Sequence, residues 1–179
     1  MQKILTTISI LILLFILVAT PSWGVSEAGQ SATRPVRLAP LPDPRVAKLE
    51  KFLKRVNSPL APKAQVFIAK ADQYELPDWK MLPAITGVES TFGKAIPSNS
   101  YNAYGWANGN YYFKNWDESI DTVSKTLKTN YINRGAKTIE QIARIYAPPS
   151  KTWATNVRFF MSQIDSFWSR DPFELALNF

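Results

Sequence analysis

The sequence predicts a mainly α protein, a helical domain carrying one small β-hairpin lobe. Three observations carry that expectation. From Pro44 onward, apolar residues recur at three- and four-residue spacing in one segment after another, which is the period of a helix face. Helix-start signals stand at the head of those segments: Asp43-Pro44, Asp78, Asp117, and Thr138 with Gln141 three residues on. Only Tyr104 to Phe113 departs from the pattern, because Asn108-Gly109 sits there between aromatic flanks as a two-residue hairpin turn would.

Asp43 and Pro44 read as N-cap and first position of a helix over 44–57. Its Val46, Leu49, Leu53 and Val56 form an apolar stripe beside Lys48, Lys51, Lys54 and Arg55. A basic amphipathic helix can lie on a membrane, but docking on the domain is the simpler account. Val66, Phe67, Ala71 and Tyr74 predict a second helix ending before Pro77. Asp78 caps a third, in which Trp79, Leu82, Ile85, Val88 and Phe92 make one stripe closed by Gly93. A fourth, capped by Asp117, runs through Ile120, Val123, Leu127 and Tyr131 to Gly135. The Thr138-Gln141 capping box opens a short fifth helix that Pro148-Pro149 stops, and a sixth carries Trp153, Val157, Phe160, Ile164 and Phe167. No internal repeat is apparent.

A length of 179 residues implies one domain with at most an appended segment. The appended part is N-terminal. Lys3 precedes an almost unbroken apolar run from Ile4 to Val18, and Ser22 and Gly24 supply small residues at plausible cleavage positions. Fifteen apolar-type positions suit a secretory signal better than a full span of about 20 residues. Residues 1–24 are thus read as a signal peptide or, alternatively, an uncleaved anchor that would attach the protein to a membrane; either way the remainder is exported, to the periplasm, cell wall or exterior. Residues 25–43, rich in Pro, Ser, Ala and Thr, read as a tether, and 44–179 as the folded domain. The net charge of +7 suits an anionic envelope. No basic run or aromatic RNA-binding motif supports nucleic acid as a partner.

The chain has no cysteine and no histidine. That excludes disulfide frameworks, thiol nucleophiles, Ser-His-Asp hydrolysis and the histidine-based metalloproteases, and no metal or organic cofactor is expected. Acid-base work must fall to the carboxylates, and Glu89 is the one unusually placed: it lies beside the apolar stripe of its helix, three and four residues from Ile85, Phe92 and Gly93. Desolvation by Ile85 and Phe92 would raise its pKa toward what a general acid at neutral pH requires.

The surrounding wording is Gly87-Val88-Glu89-Ser90-Thr91-Phe92-Gly93-Lys94, followed by Asn102-Ala103-Tyr104-Gly105-Trp106. This ordered set resembles the glucosaminidase family of bacterial cell-wall hydrolases (mannosyl-glycoprotein endo-beta-N-acetylglucosaminidase-like). In that family a helix ends in Glu-Ser-x-aromatic-Gly-Lys/Arg, and a loop leads to Asn-x-aromatic-Gly-aliphatic. Trp106 departs from the pattern, since an aliphatic residue is usual there. The Glu-Ser pair is shared with soluble lytic transglycosylases and goose-type lysozymes. Phe113, Trp116, Glu118-Ser119-Ile120, Ile145-Tyr146-Ala147 and Trp153 extend the likeness, which covers about residues 64–167. It implies a lysozyme-like fold, Glu89 as catalytic acid, Ser90 beside it and Asn102 near it as substrate-binding residues, and Tyr146 lining the cleft as another.

Seven of the sixteen residues from Tyr101 to Trp116 are aromatic, more than a short hairpin can bury, so some rings should face a ligand. Tyr104 and Trp106 are read as contacts to pyranose rings, and Phe113 and Trp116 as anchors of the hairpin on the core. A glycosidase normally needs a second carboxylate, yet Thr91 to Trp116 contains none, and Asp117 and Glu118 are explained by a helix start. Two mechanisms stay open: participation of the substrate's own N-acetyl group, with 1,6-anhydro products in its transglycosylase form, or hydrolysis assisted by a Tyr or a more distant acid. The expected function is cleavage of peptidoglycan glycan strands. The alternative from another class is a catalytically silent module that binds cell-wall glycan.

Overall fold

The structure, a computed structural model, describes residues 42–167. The expected leader at 1–24 and nearly all of the expected tether at 25–43 lie outside these residues. No helix within them is long and apolar enough to cross a membrane.

The described fold is helical. Helices α1 (Pro44–Arg55), α2 (Ala64–Gln73), α3 (Met81–Ser90), α4 (Trp116–Thr126), α5 (Ile139–Tyr146) and α6 (Trp153–Ser166) follow one another in the predicted order. A 3₁₀ turn at Ala61–Lys63 precedes α2. Asp43 caps α1 as expected, its side chain accepting from the Arg45 backbone N–H at 2.9 Å. Arg45 then clamps α1 to α2 through Asp43 and Asp72, each at 2.6 Å. Thr138 and Gln141 form both bonds of the capping box on α5.

At the centre stands α3, whose residues Met81 to Gly87 are all buried and which packs most extensively on α6. Pro83 is tolerated there because the first turn has no intrahelical partner for its missing N–H. Gly87 is required by the contact: a Cβ would lie 2.7 Å from Phe92 and 2.9 Å from Phe160. Helices α1, α2 and α4 close the core on one side through Leu49, Leu53, Phe67, Ile120 and Val123.

Four expectations need correction. Helix α3 ends at Ser90, and Thr91, Phe92 and Gly93 are all left-handed, with φ of 52°, 59° and 79°. Phe92 therefore leaves the helical stripe and folds back over Gly87, its ring edge-on to Phe52 and Phe160. The N-cap of α4 is Asn115, which accepts from the Glu118 N–H at 2.9 Å, while Asp117 lies in the first turn and pairs with Lys63. Beyond Thr126 the fourth helix loosens into a π turn (Leu127–Tyr131) and a 3₁₀ turn (Ile132–Arg134) before Gly135 at φ 99°.

The fourth correction is the β-hairpin: there is no strand among the described residues. Ala107, Asn108 and Gly109 take φ of 51°, 56° and 82° in succession, which coils the chain instead of returning it alongside itself. The groups that would pair across a hairpin are claimed by one buried side chain. Asn102 donates from Nδ2 to the carbonyls of Trp106 and Tyr111 at 2.9 and 3.0 Å, and its Oδ1 accepts from the Trp106 N–H at 2.8 Å. A loop wound around an Asn results, tied at its base by the Phe113 N–H donating to the Ser100 carbonyl.

Candidate active site

Helix α3, the loop after it and the α5–α6 junction meet around Glu89. The loop is pinned to the helix end by Ser90, whose hydroxyl lies 2.8 Å from the Ala103 carbonyl and accepts from the Gly93 N–H at 2.9 Å. That brings Gly105 against the acid. Its φ is +64°, which favours glycine, and a Cβ there would lie 3.2 Å from Glu89 Oε2, close enough that the carboxylate would have to shift.

From the other side comes Trp153, at the start of α6, whose indole Nε1–H donates to Glu89 Oε1 at 2.7 Å. Trp153 stacks on Tyr146 with centroids 5.0 Å apart, and Tyr146 meets Tyr131 edge-on at 6.4 Å. The Tyr146 hydroxyl donates to the Tyr104 carbonyl at 2.7 Å, closing the wall onto the loop. These residues bound a cleft of about 320 Å³, lined by Glu89, Gly105, Trp106, Asn108, Tyr131 and Tyr146 together with Tyr104, Ala107 and Ala147.

Glu89 is half-buried, and burial raises its pKa above the usual glutamate range, while the Trp153 hydrogen bond opposes that shift. Phe92, expected to desolvate it, is occupied with Phe52 and Phe160. Gly105 and Trp153 are what crowd the acid. Tyr146 is pushed well above its ordinary value, by burial first and then by the nearby Glu89 charge, so its hydroxyl keeps its proton and stays a donor.

Of the residues singled out in the sequence, Glu89, Tyr104, Trp106 and Tyr146 line this one cleft. Ser90 and Asn102 do not. Each is 3 % exposed with its side chain bonded to the backbone of the α3 terminus or the loop, so both build the site without offering an atom to a ligand. Tyr104 is corrected in part: its ring is 2 % exposed and packs in the core, leaving no face for a sugar. Its hydroxyl is buried without a hydrogen-bond partner. Phe113 is buried, as an anchor should be.

The sequence reading missed the contact of Trp153 with Glu89, and the parts of Tyr131 and Gly105. A buried indole needs a partner for its N–H, which is the one signal available, but nothing in the sequence directs it to a residue 64 positions away.

The cleft contains a single carboxylate. Asp117 is paired with Lys63 at 2.8 Å, and Glu118 accepts from the Lys114 N–H at 2.6 Å, both away from the cleft. Among the described residues no group of three or more acids converges to hold a metal. A second concavity between Arg45, Asp72, Asp78 and Lys80 has its charges satisfied by ion pairs within it. No protein-family model and no curated protein sequence matches the chain.

Proposed function

We propose that this is an exported, lysozyme-like glycosidase that cleaves β-1,4 bonds of N-acetylated cell-wall glycan, with Glu89 as the general acid. The observation that carries this reading is Glu89 itself: a carboxyl group biased toward protonation by burial, oriented by one indole N–H, and open to a cleft walled by aromatic rings. The resemblance of the Glu89–Trp106 segment to the glucosaminidase family supports it independently.

A single carboxylate favours participation of the substrate over a second protein nucleophile. In the first step Glu89 transfers its proton to the glycosidic oxygen as the C1–O bond breaks, and the carbonyl oxygen of the neighbouring acetamido group closes on C1 to give an oxazolinium ring. The Glu89 carboxylate then takes a proton from the attacking hydroxyl. When that hydroxyl is water the product is a reducing sugar, and when it is the sugar's own 6-hydroxyl the product is a 1,6-anhydro end. Trp106 and Tyr146 supply apolar ring surface with polar edges, which suits pyranose faces. The raised Tyr146 hydroxyl keeps a neutral neighbour beside the acid, so no second negative charge opposes its ionisation between steps.

The test is digestion of purified wall by the full chain and by Glu89→Gln, with fragments weighed by mass spectrometry. Loss of proton donation should reduce turnover by on the order of 10²-fold or more. A variant retaining more than about a tenth of the wild-type rate would remove Glu89 from the role of acid. Products one water lighter than reducing fragments identify the 1,6-anhydro route. Binding without cleavage by the wild type would favour the silent module.

A further inference from the structure

Outside the loop after α3, the cleft is lined by Glu89, Tyr131, Tyr146 and Ala147. Two of the polar atoms on this side are already committed: Glu89 Oε1 accepts from the Trp153 indole, and the Tyr146 hydroxyl donates to the Tyr104 carbonyl, each at 2.7 Å. The Tyr131 hydroxyl is not. It forms no hydrogen bond with any described residue, and burial alone raises its pKa above the ordinary tyrosine value. On the loop, Asn108 also offers an amide, but it is exposed and no hydrogen bond with a described residue holds it. Tyr131 is half-buried, and its ring is set edge-on to Tyr146, which stacks on the Trp153 that bonds Glu89.

The backbone that carries Tyr131 departs from the α-helix at that point. Ile120, Val123 and Leu127 form a buried stripe, and an α-helix would continue it through Tyr131, four residues after Leu127. Instead the chain makes the π turn Leu127–Tyr131, in which the Ile132 N–H donates to the Leu127 carbonyl five residues back. The wider turn carries the following side chain off the α-helical stripe, and Tyr131 sits at the edge of the core with its ring in the cleft wall. Its own carbonyl is tied down by the Ala136 N–H at 3.0 Å.

We infer that Tyr131 holds the substrate's 2-acetamido group for attack on C1, its hydroxyl oxygen accepting from the acetamido N–H. The inference rests on the glycan-cleaving reading of the Glu89 cleft. As the carbonyl oxygen bonds to C1, the C1–O glycosidic bond breaks and the Glu89 proton goes to the leaving oxygen. Positive charge then develops on the N–H of the new ring, where an acceptor stabilises it; a donor placed on the carbonyl oxygen would instead draw away the electron pair that must attack. The ring keeps its N–H proton and Tyr131 keeps its own. When water or the 6-hydroxyl attacks C1 the ring opens, the acetamido group is restored, and Tyr131 has neither gained nor lost a proton.

The experiment compares the full chain with Tyr131→Phe, which removes the hydroxyl and keeps the ring. On purified wall the variant should lose about tenfold in kcat with KM within about twofold, because the contact strengthens as charge develops. The pH limbs of kcat/KM should stay where they are, since Tyr131 does not bond Glu89. A second measurement needs no turnover: calorimetric binding of the 2-methylthiazoline of N-acetylglucosamine, a stable imitation of the cyclised acetamido ring. The variant should bind it about tenfold more weakly while its affinity for chitotetraose stays within about twofold. Equal affinity of the two proteins for the thiazoline overturns the inference, even where the rate falls through a change in folding. So does a loss carried by KM alone, or a wild type that cleaves wall and does not bind the thiazoline; each leaves Glu89 as the acid. If the wild type cleaves no wall and binds no thiazoline, the glycosidase reading fails and this inference with it.

Discussion

Trp153 does more for Glu89 than hold it still. A hydrogen bond donated to a carboxylate favours the charged form, so the indole N–H counters the upward pull of burial on the acid in its half-buried position. Two opposing influences thus meet on one oxygen pair, and the balance sets the pH range over which the proton can be given and taken back. Trp153→Phe removes the donor and leaves the ring that stacks on Tyr146. Glu89 should then bind its proton more tightly, and the alkaline limb of kcat/KM against pH should move to higher pH. A ring with only a packing role predicts a lower rate with the limb unmoved, so the pH profile separates the two.

At the scale of elements, the loop between α3 and α4 decides whether there is a site, and Asn102 decides whether there is a loop. Three hydrogen bonds from one buried amide hold backbone groups that no sheet or helix satisfies. Asn102→Ala should cost about 2 to 4 kcal/mol, from lost bonds and two carbonyls left without donors, and urea unfolding measures it. Tyr112, 61 % exposed on the same loop, is the control, and its replacement by Ala should stay within about 0.5 kcal/mol. The same residue explains where sequence reasoning stopped. Helix periodicity and capping chemistry are local, so Asp43, the Thr138-Gln141 box and six helices in order are legible from neighbouring residues alone. Asn108-Gly109 is equally local and equally suggestive of a hairpin, but Asn102 sits outside the expected strands and takes over their backbone partners. Asn115 caps α4 in place of Asp117 by a shift of two residues that acidic composition in a first turn does not reveal. Glu89 is legible because its own helix neighbours and motif identify it. What covers it comes from elements 16 and 64 residues away and is not.

Across the described domain the shifted carboxylates move in two opposite senses, and the contrast isolates Glu89. Asp43, Glu75 and Asp165 are held below the ordinary carboxylate range by Arg45, Lys128 and Lys80. Asp121, which burial alone would raise, is brought down by Lys70 and Tyr74. Each of these contributes stability that is present above its unfolded pKa and lost as pH falls through its folded one. Glu89 has the reverse sign. Its folded pKa lies above the unfolded value of about 4.3, so it binds its proton more tightly in the native state, and ionising it works against folding. That penalty is absent below the unfolded value, grows as pH rises toward the folded one, and is constant beyond it. Glu89→Gln cancels this contribution alone, because the amide oxygen can still accept from Trp153 and the surface pairs are untouched. The melting temperature of the variant relative to wild type should therefore be smallest and independent of pH below about pH 4, and should rise through the weakly acidic range to a plateau in the variant's favour near neutrality. Both proteins should lose stability in parallel at the acid end. Raising the salt concentration should shrink that shared acid limb, since exposed pairs are screened, and leave the difference between the two proteins in place, since it comes from burial. A difference that stays flat across the range would mean that Glu89 ionises as an ordinary surface glutamate and is not tuned to donate a proton.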